Sequence, residues 1–120
     1  PVPHNQVAPF YELIDVFVVS RPDTRVTRLV TPLKPFEAMQ AGRALVMSNL
    51  PALAEIVEDG KTGRLYPPDN IEKLADIIEG LLNDKGKRDA LGSAASQWIV
   101  ENRTWSKVVR GTTEVYQRLV

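Results

Sequence analysis

The sequence contains no cysteine and a single histidine. Without thiols there is no disulfide framework, no thiolate metal site and no cysteine nucleophile, and the redox compartment stays open. One imidazole without thiolates is a poor start for a transition-metal site. Neither charge is in excess: 15 Lys and Arg balance 15 Asp and Glu, for a formal net charge of zero. Such a balance provides no electrostatic drive toward nucleic acid or an anionic membrane surface. No apolar run approaches the roughly 18–20 residues that a membrane-spanning helix requires. No signal-peptide pattern is present, and the first residue is Pro1, with no initiator methionine before it. A fragment of a longer protein is therefore expected, with part of its function on residues outside the chain.

What is present is globular in composition. The 120 residues are 43% hydrophobic and 25% charged, enough for one core. Val7, Phe10, Tyr11 and Ile14 have near-helical spacing and predict a short helix over 4–14. Val16–Val19 is an apolar β-branched run that reads as a buried strand. Residues 20–28 are polar, with Pro22 early, and read as a loop. Pro32 and Pro35 suit a helix start, because proline fixes φ and lacks a donor that the first turn leaves unused. Phe36, Ala38, Met39 and Ala41 continue that helix and Gly42 ends it. A second buried strand at 44–47 completes a strand, loop, helix, strand unit, the pattern of a parallel crossover.

Beyond it, 51–56 reads as a short helix, 58–63 as a turn and Arg64–Tyr66 as a brief strand. Asp69 with Glu72 fits a capping-box variant. It opens a helix striped by Ile71, Leu74, Ala75, Ile78, Leu81 and Leu82. Two further helices follow, one over 87–102 and one capped by Thr104. The fold class is α/β: part of a doubly wound, Rossmann-like parallel sheet with C-terminal helices. Two or three strands fall short of the four to six of such a domain. Residues 1–68 would form the sheet part and 69–120 the C-terminal helices.

Open parallel sheets bind ligands beyond the carboxyl ends of their strands. The segment after Val16–Val19 lies there and leads into a helix start, which favours an anion. Thr31, Lys34, Arg28, Arg25 and Arg21 gather along it. Glu37, one turn into the helix, would repel phosphate but can accept two hydrogen bonds from a ribose diol. Residue chemistry therefore supports a nucleoside-diphosphate site. A solvated basic loop is the competing account, and the residues alone leave both open.

The order of motifs across 14–68 resembles the C-terminal domain of GT-B-fold glycosyltransferases of the group-1, family-four type. These motifs are Asp15-Val16-Phe17-Val18, then Glu37-Ala38-Met39-Gln40-Ala41-Gly42. Next come Ser48-Asn49-Leu50 with Leu53, Glu55 and Ile56, and Asp59-Gly60-Lys61-Thr62-Gly63-Arg64-Leu65-Tyr66-Pro67-Pro68. The resemblance implies a donor-binding half, with a nucleotide-diphosphate sugar as substrate and no cofactor or metal. It implies that Glu37 holds the donor ribose. It also implies that Lys34, in a Thr31-Pro32-Leu33-Lys34 segment, helps hold the diphosphate, whereas Arg28, Arg25 and Arg21 are candidate phosphate contacts from their chemistry and place alone. No catalytic residue is expected within the chain. Leu29 stands where the family has a sugar-contacting glutamate, and Val30-Thr31-Pro32 replaces its Gly-Phe-Gly segment. The acceptor site, a catalytic-region histidine and a phosphate-binding Arg/Lys pair would lie outside this chain, most of them on a missing N-terminal domain. That domain is the expected partner, in a bacterial cytoplasmic enzyme of polysaccharide synthesis, peripheral to the inner membrane through it.

Competing signals are weaker. Gly60-Lys61-Thr62 imitates a P-loop, but the required earlier glycine is Glu55 and a strand follows instead of a helix. Ser48 lacks a nucleophile-elbow frame. Glu58 and Asp59 read as turn carboxylates, and His4 as a structural or solvent-facing residue. Trp98 and Trp105 read as core or domain-contact residues. The remaining readings are a sugar-nucleotide epimerase, against which Thr31-Pro32 stands in place of a Gly-Gly loop, and a non-catalytic domain that binds nucleotide weakly or not at all and self-associates as a homodimer.

Overall fold

Three short apolar runs build the sheet, and a computed structural model describes residues 2–119. Strands β1 (Val16–Val19), β2 (Ala44–Ser48) and β3 (Arg64–Tyr66) are parallel, in the order β1-β2-β3. Val16 lies opposite Ala44, and Met47 opposite Leu65. The central strand is buried at every residue, which is why it carries no alternation of apolar and polar side chains. Its Leu45 and Met47 join one core with Ala38, Met39, Leu53 and Ile56. Ala44 and Val46 join the other with Ile77, Leu81 and Leu91. The expected parallel α/β sheet with C-terminal helices is thus observed.

The helices are α1 (Ala8–Glu12), α2 (Arg25–Leu29), α3 (Lys34–Gln40), α4 (Pro51–Ala54), α5 (Ile71–Leu82), α6 (Lys85–Asn102) and α7 (Trp105–Leu119). Three expectations change. The 4–14 helix is a 3-10 turn at His4–Gln6 followed by α1, because Pro9 belongs to a first turn and restarts the helix there. The 20–28 loop contains the start of α2. Thr24 and Thr27 exchange side-chain and backbone hydrogen bonds of 3.0 and 3.3 Å, a reciprocal cap built from two threonines instead of the usual Ser/Thr and Glu pair. Asp69 does not cap α5. It has φ 65°, and the cap is Asn70, whose side chain accepts from Lys73 N–H at 2.9 Å. Likewise α6 begins at Lys85, earlier than expected, because Asp84 accepts from Lys87 N–H at 2.9 Å.

Gly42 ends α3 as expected. It has φ 67°; its N–H meets Met39 O at 3.0 Å and Arg43 N–H meets Ala38 O at 2.9 Å. This pair of bonds needs a left-handed residue, which glycine adopts without steric cost. Gly92 of α6 sits directly on this corner: a Cβ there would lie 2.0 Å from Gly42 O. α6 therefore reaches the end of α3 by backbone contact. By contrast α7 has no buried residue. No helix among the described residues is long and apolar enough to cross a membrane.

Candidate functional site

All three strands end at one edge of the sheet, and a chain of hydroxyls ties those ends together. Tyr66, 2% exposed at the end of β3, donates to Ser20 Oγ at 2.8 Å. Ser48, fully buried at the end of β2, donates to Tyr66 Oη at 3.2 Å and accepts from Arg21 N–H at 2.7 Å. Both buried hydroxyls are thereby satisfied, as burial demands. Ser48 is a structural pin that fixes where the chain leaves β1.

That exit leads into the segment singled out by its basic residues. The structure does not use them alike. Arg28 is engaged with Asp23 through two bonds of 2.5 and 2.7 Å. The Arg28 guanidinium holds the Asp23 carboxyl below the usual carboxylate range. Arg21 donates to Val30 O at 3.0 Å and closes the segment on itself, although a guanidinium retains further donors. Arg25 is exposed on α2, with no side-chain hydrogen bond among the described residues. Thr31 and Pro32 are half-buried, and Leu33 and Lys34 are exposed. Lys34 is the first residue of α3, which no side chain caps. Leu29 is exposed, as are its apolar neighbours Val26 and Val30.

Glu37 is half-buried, one turn into α3, between buried Pro35 and Ala38. It lines two clefts. One, of about 550 Å³, also includes His4, Val7, Tyr11, Gln40 and Arg43. The other, of about 560 Å³, includes Leu33, Phe36, Arg103, Trp105 and Val108. Its carboxylate accepts from the Tyr11 hydroxyl at 2.6 Å. Burial pushes that phenol up to about 12, helped by the hydrogen bond to Glu37 and its charge. Tyr11 therefore stays a donor throughout the neutral range. No local pattern signals this bond, since Tyr11 reads in the sequence only as an apolar helix position. The Ser20, Ser48 and Tyr66 chain was equally hidden, because its members are scattered over 47 positions and meet only at the sheet edge.

The segment 58–63 is a structural corner. Asp59 accepts from Arg64 Nε and Leu65 N–H, both at 2.9 Å. Burial would raise its carboxyl, but these donors and Gly60 N–H hold it below the usual range. Lys61 pairs with Glu58 at 3.0 Å, as a turn lysine would. Trp98 packs against the first core, with the Arg103 guanidinium 5.9 Å from its ring centroid. Trp105, however, is 83% exposed and belongs to no core. Among the described residues, no three His, Asp or Glu side chains gather as a metal site would require.

Sequence and structure comparisons point one way. The chain is 31% identical over 113 residues to spore coat protein SA of Bacillus subtilis, covering 90% of this chain and 28% of that protein. It is 37% identical over 81 residues to a phosphatidyl-myo-inositol mannosyltransferase of Mycolicibacterium smegmatis, covering 68% and 21%. The crystal structure of Anabaena HepE in complex with UDP-glucose superposes with a TM-score of 0.79 at 21% identity, over 91% of this chain and 29% of that one. The chain thus spans between a fifth and three tenths of the length of these proteins. The family profile described as glycosyl transferases group 1 matches residues 1–84, and with that match the chain belongs to the group 1 glycosyltransferases.

Proposed function

We propose that this chain is the donor-binding half of a glycosyltransferase that moves a sugar from a nucleoside diphosphate to a saccharide or glycoconjugate acceptor. The observation that carries this reading is the Glu37 carboxylate. It stands on α3 in a crossover of the parallel sheet, open to two clefts, with its position fixed by Tyr11. A fixed carboxylate suits the two adjacent hydroxyls of a ribose. Lys34, at the uncapped start of the same helix, supplies a positive charge for the diphosphate, whose departure it would stabilise. Arg25 is the arginine of the segment best placed to assist, since Arg28 is committed to Asp23 and Arg21 to Val30. Of the relatives, one is named a mannosyltransferase, and a protein of the same fold holds UDP-glucose. The acceptor would be bound by a second domain of the whole protein.

The test is calorimetric titration of the intact enzyme with UDP and GDP. Glu37→Ala is expected to weaken nucleotide binding by about 1–3 kcal/mol, the scale of a hydrogen bond to a charged group. Unchanged affinity removes the role of Glu37. A second reading applies to the chain on its own: self-association without catalysis. It is favoured by α7, where Trp105, Tyr116 and Leu119 are 83%, 66% and 77% exposed, because an apolar face of that kind seeks cover. Light scattering should then report twice the 13.4 kDa of one chain; a monomer mass excludes it.

A further inference from the structure

Glu37 receives its hydrogen bond from a residue that is itself held fast. Tyr11 is 8% exposed and belongs to the first core. Its ring meets Phe17 of β1 with centroids 5.8 Å apart and planes tilted by 37°. Along α3, Glu37 is flanked by Phe36, packed on that core, and by the buried pair Ala38 and Met39. Two anchored elements, α1 and α3, therefore meet through one bond of 2.6 Å between Tyr11 Oη and Glu37 Oε2. A phenol has only two side-chain torsions, and here packing sets them. The donor is thus stationary, and the carboxylate must turn to it.

A carboxylate offers about four acceptor directions on two oxygens. Tyr11 occupies one of them at Oε2, restrains how the carboxylate turns, and leaves the other three. Among the described residues, no other side-chain hydrogen bond to Glu37 occurs, and Glu37 lines both clefts. We infer that Tyr11 is a positioning residue of the donor site: it sets the Glu37 carboxylate in the orientation that grips a ribose 2′,3′-diol, and so sharpens the choice of ribo- over 2′-deoxyribonucleotide. This rests on the reading that Glu37 binds the ribose. Tyr11 itself need not touch the nucleotide.

The experiment compares UDP with 2′-deoxy-UDP by calorimetry on the intact enzyme, with thermal melting of each variant. The wild type is expected to prefer UDP, and Glu37→Ala to abolish that preference. Tyr11→Phe keeps the ring and its packing. It is expected to cut the preference by roughly three- to tenfold, the scale of one hydrogen bond, mainly through weaker UDP binding. A merely structural tyrosine would lower both affinities alike and leave their ratio unchanged. If Glu37→Ala erases the preference while Tyr11→Phe keeps the wild-type ratio, positioning by Tyr11 is overturned and the ribose reading stands. If Glu37→Ala keeps the ratio, the ribose reading falls and takes this inference with it. Should Tyr11→Phe fold poorly, Tyr11→Met, which also lacks the hydroxyl and adapts to the space of the ring, decides by the same ratio. A reduced preference supports positioning, and the wild-type ratio overturns it.

Discussion

Burial, together with the bond to Glu37 and its charge, shifts the Tyr11 hydroxyl from 10.0 up to about 12. The folded chain therefore keeps a proton that the unfolded chain releases from about pH 10 upward. Stability from this group is fully present below 10 and is lost as the pH rises toward 12. Urea titrations between pH 9 and 12 should show a steeper loss for the wild type than for Tyr11→Phe; parallel curves would refute the shift. Gly92 is the other single residue on which much depends. A Cβ there would meet Gly42 O at 2.0 Å, and the obstacle is backbone, which cannot swing aside. Gly92→Ala is expected to cost about 3 kcal/mol, the upper part of the overpacking range, as read from denaturant midpoints. Gly80→Ala, whose Cβ would meet nothing within 4 Å, serves as its control.

Among the elements, those with a repeating apolar stripe were legible and those held by local hydrogen bonds were not. The three strands and α5, α6 and α7 follow from apolar runs and from spacing near 3.6 residues. Only their ends shifted, where Asn70 and Asp84 supply the caps. The helix α2 escaped because Arg25–Leu29 buries nothing; a helix without a buried face has no periodicity to read. It exists through its Thr24 and Thr27 cap. The sheet edge shows the same division. The apolar residues of β2 announce a strand, whereas the link from Ser48 through Tyr66 to Ser20 depends on three chain ends arriving together.

For the molecule as a whole, α7 sets the outline. The radius of gyration is 15.7 Å and the long dimension 54 Å against 33 and 31 Å. A compact chain of this length would have a radius near 14 Å. The excess goes with a 15-residue helix that buries none of its side chains, although its apolar stripe includes Trp105, Val108, Val109 and Tyr116. If that face drives association of the isolated chain, the doubled mass in light scattering should vanish when residues 105–119 are removed. Persistence of the larger mass would place the contact elsewhere.

The order of apolar runs and turn residues was enough to determine the parallel α/β sheet, its C-terminal helices and the family, because periodic burial and short motifs are local properties of a chain. Glu37 was also visible, through the motif that follows it. What tertiary structure alone decided is which charges remain available and what orients them. Arg21, Arg25, Arg28, Thr31 and Lys34 looked equivalent along their segment, yet folding pairs Arg28 with Asp23 and turns Arg21 onto Val30. Tyr11 and Glu37 are 26 positions apart. No local pattern encodes their meeting; it arises because α1 and α3 pack against the same apolar core.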